Sequence, residues 1–152
     1  MYAINQRFAQ LKYQVELACI EKNPQVAASL RKYSAVLVCG FIERSVEVIV
    51  LERLRNLAHP RIQNFVKSYF KRGRNFNCNS ICGLLEKFDS NWGNNFRNFI
   101  DENEKEVVAL DSIYSVRNSI AHGANADISA TELQKRLSSA KRVVDAVILV
   151  TR

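Results

Sequence analysis

Ala35-Val36-Leu37-Val38-Cys39-Gly40-Phe41-Ile42 is a run without one polar side chain, and it lies midway along a segment of helical period. A helix that is apolar on every face belongs at the centre of a bundle, ringed by helices that each bury one stripe. The flanking sequence supplies such partners. Upstream, Phe8, Leu11, Val15, Ala18 and Cys19 recur at i, i+3, i+4 spacing and predict a first helix over about residues 3–22. Asn23-Pro24 breaks it, and Pro24 suits the first turn of the central helix. That helix is expected to run to about Leu57, ahead of His59-Pro60.

Downstream, Ile62, Phe65, Val66, Tyr69 and Phe70 predict a shorter amphipathic helix that ends in Lys71-Arg72-Gly73-Arg74. An asparagine-rich connection follows, Asn75-Phe76-Asn77-Cys78-Asn79, after which Asn79 or Ser80 is placed to cap a helix built on Ile81, Leu84, Leu85 and Phe88. The stretch from Asp89 to Phe99 reads as a turn and a short helix that plug one end of the core. Val107, Leu110, Ile113, Tyr114, Val116 and Ile120 mark a long helix from about Glu104 to Ala121, with Gly123 placed for a left-handed stop. Ser129-Ala130-Thr131-Glu132 is a capping box opening the last helix, which buries Leu133, Leu137, Val144 and Ile148 and turns Lys135, Arg136, Lys141 and Arg142 to solvent. The expectation is an all-α, single-domain bundle over residues 1–152, with four long helices and one or two short ones.

Composition agrees with that class. A chain of 152 residues with 47% hydrophobic content is long enough for one real core, and 5 Gly with 2 Pro are too few for a many-turned β fold. The N-terminus carries no secretory pattern, and the late apolar stretch Val143–Val150 is short and interrupted by Asp145, so a soluble cytoplasmic protein with no membrane association is expected. Lys and Arg outnumber Asp and Glu by 22 to 15, and the resulting +7 attracts polyanions. Lys71-Arg72-Gly73-Arg74 and the basic face of the last helix are candidates to hold an RNA backbone, or are simply solvated. Phe76 is a candidate to stack on a base, with a place in the core as the plainer reading. Cys78 and Cys82 have the spacing of half a zinc site, but no second pair accompanies them. Ordinary packing accounts for all four cysteines (the others are Cys19 and Cys39), and no metal is expected.

Chemistry concentrates in Arg117-Asn118-Ser119-Ile120-Ala121-His122-Gly123. Arginine is permanently cationic and presents a planar fork that matches phosphate oxygens. Histidine exchanges protons near neutrality. The pair is a minimal kit for cleaving a phosphodiester without metal. Five residues turn an ideal helix by about 140°, so the two side chains share a face only if the last turn unwinds before Gly123 or the long arginine reaches round. The alternative is an Arg and a His standing exposed at a frayed helix end. Glu43, directly after the apolar run, is either the first solvated position or a partner for Arg117 beside the core, where a lone carboxylate is costly. Tyr114, a turn before Arg117, reads as a packed aromatic.

The segment Arg117–Gly123 resembles the Arg-x4-His signature of the HEPN superfamily, in which a polar residue, often Asn, follows the arginine. Phe41-Ile42-Glu43-Arg44 in the central helix is similar to the aromatic-then-Glu pattern of stand-alone HEPN proteins, including the RiboL-PSP-like branch. The resemblance implies a helical bundle and a metal-independent endoribonuclease that needs no cofactor and is used as a toxin or in phage defence. It implies RNA as substrate, a homodimer whose two motifs line one cleft, and an antitoxin or another defence-system protein as partner. On this sequence it assigns catalysis to Arg117, Asn118 and His122, with Glu43 behind them. HEPN toxins controlled by adenylylation carry a Tyr two residues after the motif His; Ala124 stands there, which argues against that control. Some HEPN domains are non-catalytic and bind nucleotide or protein, or serve in dimerisation, and that is the alternative expectation.

Overall fold

Asn23 turns its side chain back onto the amides of Gln25 and Val26 at 3.0 and 3.2 Å, and with Pro24 in the first turn it starts the longest helix of the chain. In a computed structural model, which describes residues 2–55, 58–70, 75–124 and 126–152, the order is α1 (Tyr2–Ile20), α2 (Pro24–Leu54), α3 (Pro60–Phe70), α4 (Cys78–Phe88), α5 (Ser90–Glu102), α6 (Glu104–Ala121) and α7 (Ala130–Val150). No strand occurs among the described residues. The all-α class is as the sequence predicts. Three short helices, not one or two, accompany the four long ones, because Asp89 caps α5 from Asn91 and Trp92 and the helix then runs on for 13 residues. The expected end of the central helix at Leu57, and the cluster Lys71-Arg72-Gly73-Arg74, lie outside the described residues.

The core forms around α2. Ala35, Val38, Cys39, Ile42, Val46, Ile49 and Val50 are removed from water, each contributing roughly 1–3 kcal/mol by transfer. They meet α1, α6 and α7. The central helix is nevertheless not buried on every face. Tyr33 is 59% and Val36 36% exposed, and with Gly40 they form an outer edge. The helices packed against α2, with α3 meeting it besides α1, α6 and α7, do not close a ring around it. On α3 only Val66 is buried, while Ile62 and Phe65 stay in water. Phe76 is core: it is buried and its ring lies 5.9 Å from that of Phe70.

Two local readings are corrected. The α4 cap is Asn77, whose Oδ1 accepts from the Ser80 amide at 2.9 Å, so Cys78 enters the first turn and is buried. Of the four cations expected to face solvent on α7, Lys135 and Arg142 are exposed while Arg136 and Lys141 are partly covered, and all four are ion-paired. Lys135 and Arg136 share Glu132, Lys141 binds Asp145 at 2.6 Å, and Arg142 holds the buried Glu106 at 2.6 Å. All four cysteines are free thiols, and no cluster of metal-ligating side chains exists among the described residues. None of the described helices is long and apolar enough to cross a membrane.

Gly93 makes the contact that joins α5 to α4. A Cβ there would stand 2.7 Å from Glu86 Cβ and 2.8 Å from its Cα, and the Gly93 carbonyl accepts from the Cys82 thiol at 3.5 Å. Alanine normally gains about 1 kcal/mol over glycine inside a helix. Here overpacking reverses the sign, and Gly93→Ala is expected to cost about 1–3 kcal/mol. Gly40→Ala meets nothing within 4 Å and should gain about 0.5–1 kcal/mol. Thermal melts of the two variants check the opposite signs.

Candidate functional site

The C-terminus of α6 is locked by its backbone. The His122 amide still donates to Asn118 O at 3.0 Å, Gly123 donates to Ile120 O at 3.1 Å, and Ala124 donates to Ser119 O at 2.9 Å. Gly123 has φ of 73°. These last two bonds and the left-handed glycine are a Schellman stop, which uses up the helix's final carbonyls. The last turn therefore does not unwind before Gly123, and that route to a shared face for Arg117 and His122 is closed. Arg117 and His122 keep their helical separation, and Asn118, one turn before His122, sits between them.

Arg117 turns toward α2. Its Nη2 lies 3.8 Å from Glu43 Oε1, ion-pair range without a hydrogen bond. Its Nη1 donates to Asn75 Oδ1 at 2.6 Å and to Asn118 Oδ1 at 3.3 Å. Asn75 Nδ2 in turn donates to Asn118 Oδ1 at 3.4 Å, closing a triangle of Arg117, Asn75 and Asn118. Asn75 is the residue that sequence reasoning missed. Its signal was the alternation Asn75-Phe76-Asn77: the middle side chain is buried and the next caps α4, so the residue before them is held over α6.

His122 is exposed and makes no side-chain hydrogen bond among the described residues. It lines a groove of about 500 Å³ with Asn118, Asn75, Ser119 and Tyr114. The structure thus joins Arg117, Asn118 and Glu43 in one network and leaves His122 on the groove side of Asn118.

Burial sets the electrostatics beneath. It raises the Glu43 carboxyl above its ordinary value, and Arg117 pulls it part of the way back. Burial, then Glu43, pushes the Cys39 thiol up to about 12, so Cys39 is an inert packing residue. Burial pushes the Tyr114 hydroxyl well above the usual tyrosine range, with Cys39 and Glu43 adding to it. A proton leaves that group with difficulty at neutral pH.

A family model described as RiboL-PSP-HEPN matches residues 3–150. Among curated proteins and solved structures, no match was found.

Glu43 gives the site a testable pH signature. A carboxyl whose pKa is higher folded than unfolded favours the folded state when neutral. That stability is whole below the ordinary value of 4.5 and is lost as pH rises through the folded pKa. At neutral pH the desolvated charge is a cost, since burial outweighs Arg117. Glu43→Gln should therefore melt higher than the wild type at pH 7, and the gap should shrink toward acid. A lower melting temperature at pH 7 would show that the attraction to Arg117 dominates instead.

Proposed function

The chain belongs to the RiboL-PSP-HEPN family, and we propose that it is a metal-independent endoribonuclease acting as a homodimer. The observation that carries this reading is the end of α6, where Asn75 and Asn118 bind the Arg117 guanidinium and themselves border a groove with the exposed His122. In this reading His122 takes the proton from the RNA 2′-hydroxyl or delivers one to the leaving 5′-oxygen. Arg117 holds the scissile phosphate and stabilises the charge that develops on it. Asn118 and Asn75 hold the guanidinium in place, and Asn118 orients phosphate or histidine. The products are a 2′,3′-cyclic phosphate and a 5′-hydroxyl, because the nucleophile belongs to the RNA itself. One histidine serves poorly as base and acid in the same turnover, and a two-fold axis at this helix end supplies a second. The wider superfamily's toxins and phage-defence effectors suggest the setting, with an antitoxin or defence-system protein as partner.

One observation favours a non-catalytic module that binds nucleotide or protein. Arg117 is already engaged with Asn75, Asn118 and Glu43 and is not poised alone over the groove. The two readings separate on RNA cleavage in EDTA. His122→Ala should lower the rate by about 10²–10⁴, the span of general acid–base catalysis. Arg117→Lys should fail nearly as badly as Arg117→Ala, since a point charge cannot replace a bidentate fork. Substrates with 2′-deoxyribose at the scissile position should be inert. An active His122→Ala protein, or a need for magnesium, would leave only the binding module.

The dimer has its own check. Sedimentation at tens of micromolar, about that order, should show a two-fold assembly, and a monomer alone would remove the second histidine from the mechanism.

A further inference from the structure

The groove beside His122 has the wrong chemistry for a phosphate backbone. No lysine or arginine among the described residues lines it, and Asp111 in its wall would repel an anion. What it offers is neutral hydrogen bonding. Asn77 spends its Oδ1 on the Ser80 amide, and Asn118 spends its Oδ1 on Arg117 and Asn75. Neither Nδ2 donates within the described structure, so both amides have N–H groups to spare.

Tyr114 forms part of the groove wall at 3% exposure, and its hydroxyl is buried without a hydrogen-bond partner. The Phe76 amide approaches that oxygen without completing a bond. The hydroxyl lies near Cys39, Glu43 and Arg117, none of which lines the groove, and it is closed off from solvent. The volume of about 500 Å³ lies in the range of small-ligand sites.

We infer that this groove is a guanine pocket, holding the base of the nucleotide whose 2′-hydroxyl is attacked. The inference rests on the nuclease reading of the same site, because His122 lines the groove and must reach that sugar. Ionised Asp111 only accepts, and guanine alone presents two adjacent N–H donors, N1–H and N2–H, on its Watson–Crick edge. The spare amide donors of Asn77 and Asn118 meet O6 and N7. Uracil and adenine each set at least one acceptor against the carboxylate.

Titration of the intact protein with the four 3′-nucleoside monophosphates tests this without requiring cleavage. 3′-GMP should bind about tenfold or more tighter than the others, and Asp111→Asn should erase that preference while leaving the other three nearly unchanged. Tyr114→Phe should leave 3′-GMP binding unchanged and keep or raise the melting temperature, since it deletes an unpaired polar atom closed off from the groove. Equal affinities, or a guanine preference that survives Asp111→Asn, would overturn the pocket. Tighter binding of 5′-GMP than of 3′-GMP would overturn the assignment to an RNA base and point to a free nucleotide. A guanine preference of the expected kind in a protein that cleaves no RNA would refute the nuclease and keep the pocket.

Discussion

Val38, Cys39, Ile42 and Val46 of α2, with Leu110 and Ile113 of α6, are almost wholly removed from water. The Cys39 thiol donates to the Ile113 carbonyl at 3.8 Å across this seam. The seam fixes how far one helix is slid and turned against the other. Glu43 follows Ile42 directly, and Arg117 stands one helical turn after Ile113, so packing decides that carboxylate and guanidinium meet. An apolar seam is indifferent to salt and pH, unlike the ion pair it aligns. The charged groups are placed by contacts that carry no charge.

Much of this was legible in the sequence because it is written locally. The α1 stripe, Asn23-Pro24, the Ser129–Glu132 cap and Gly123 each announce themselves within a few residues, and each recurs in the structure. What was not legible depends on neighbours distant in the chain. Val36 and Tyr33 look like core until it is known which sides of α2 are covered. Asn77 caps α4 in place of Asn79 or Ser80 because the core claims Cys78 and Phe76. Arg142 reads as surface charge, but Glu106, 36 positions earlier on another helix, claims it. In the site, the residue types of the Arg117–His122 motif were visible at once. The partner Asn75, 42 positions away from Arg117, was not.

The net charge of +7 also needs reading by place. The four cations Lys135, Arg136, Lys141 and Arg142 of α7 are paired with three carboxylates, Glu132, Asp145 and Glu106, so these groups leave one positive charge in excess. A basic total can draw a polyanion toward the protein without stating where it docks. The groove beside His122 is lined by amides and hydroxyls with one carboxyl group, Asp111, and by no Lys or Arg among the described residues.

The Schellman stop at Gly123 insulates the histidine from the chain downstream. His122 is held by bonds from its own helix and from the two residues after it, none of them reaching beyond Ala124. Beyond Ala124 the chain is anchored separately by Ile128, which is buried and whose carbonyl accepts from Arg31 Nε at 2.8 Å. The helix stop and the loop anchor are thus two separate fixings, one on either side of the turn.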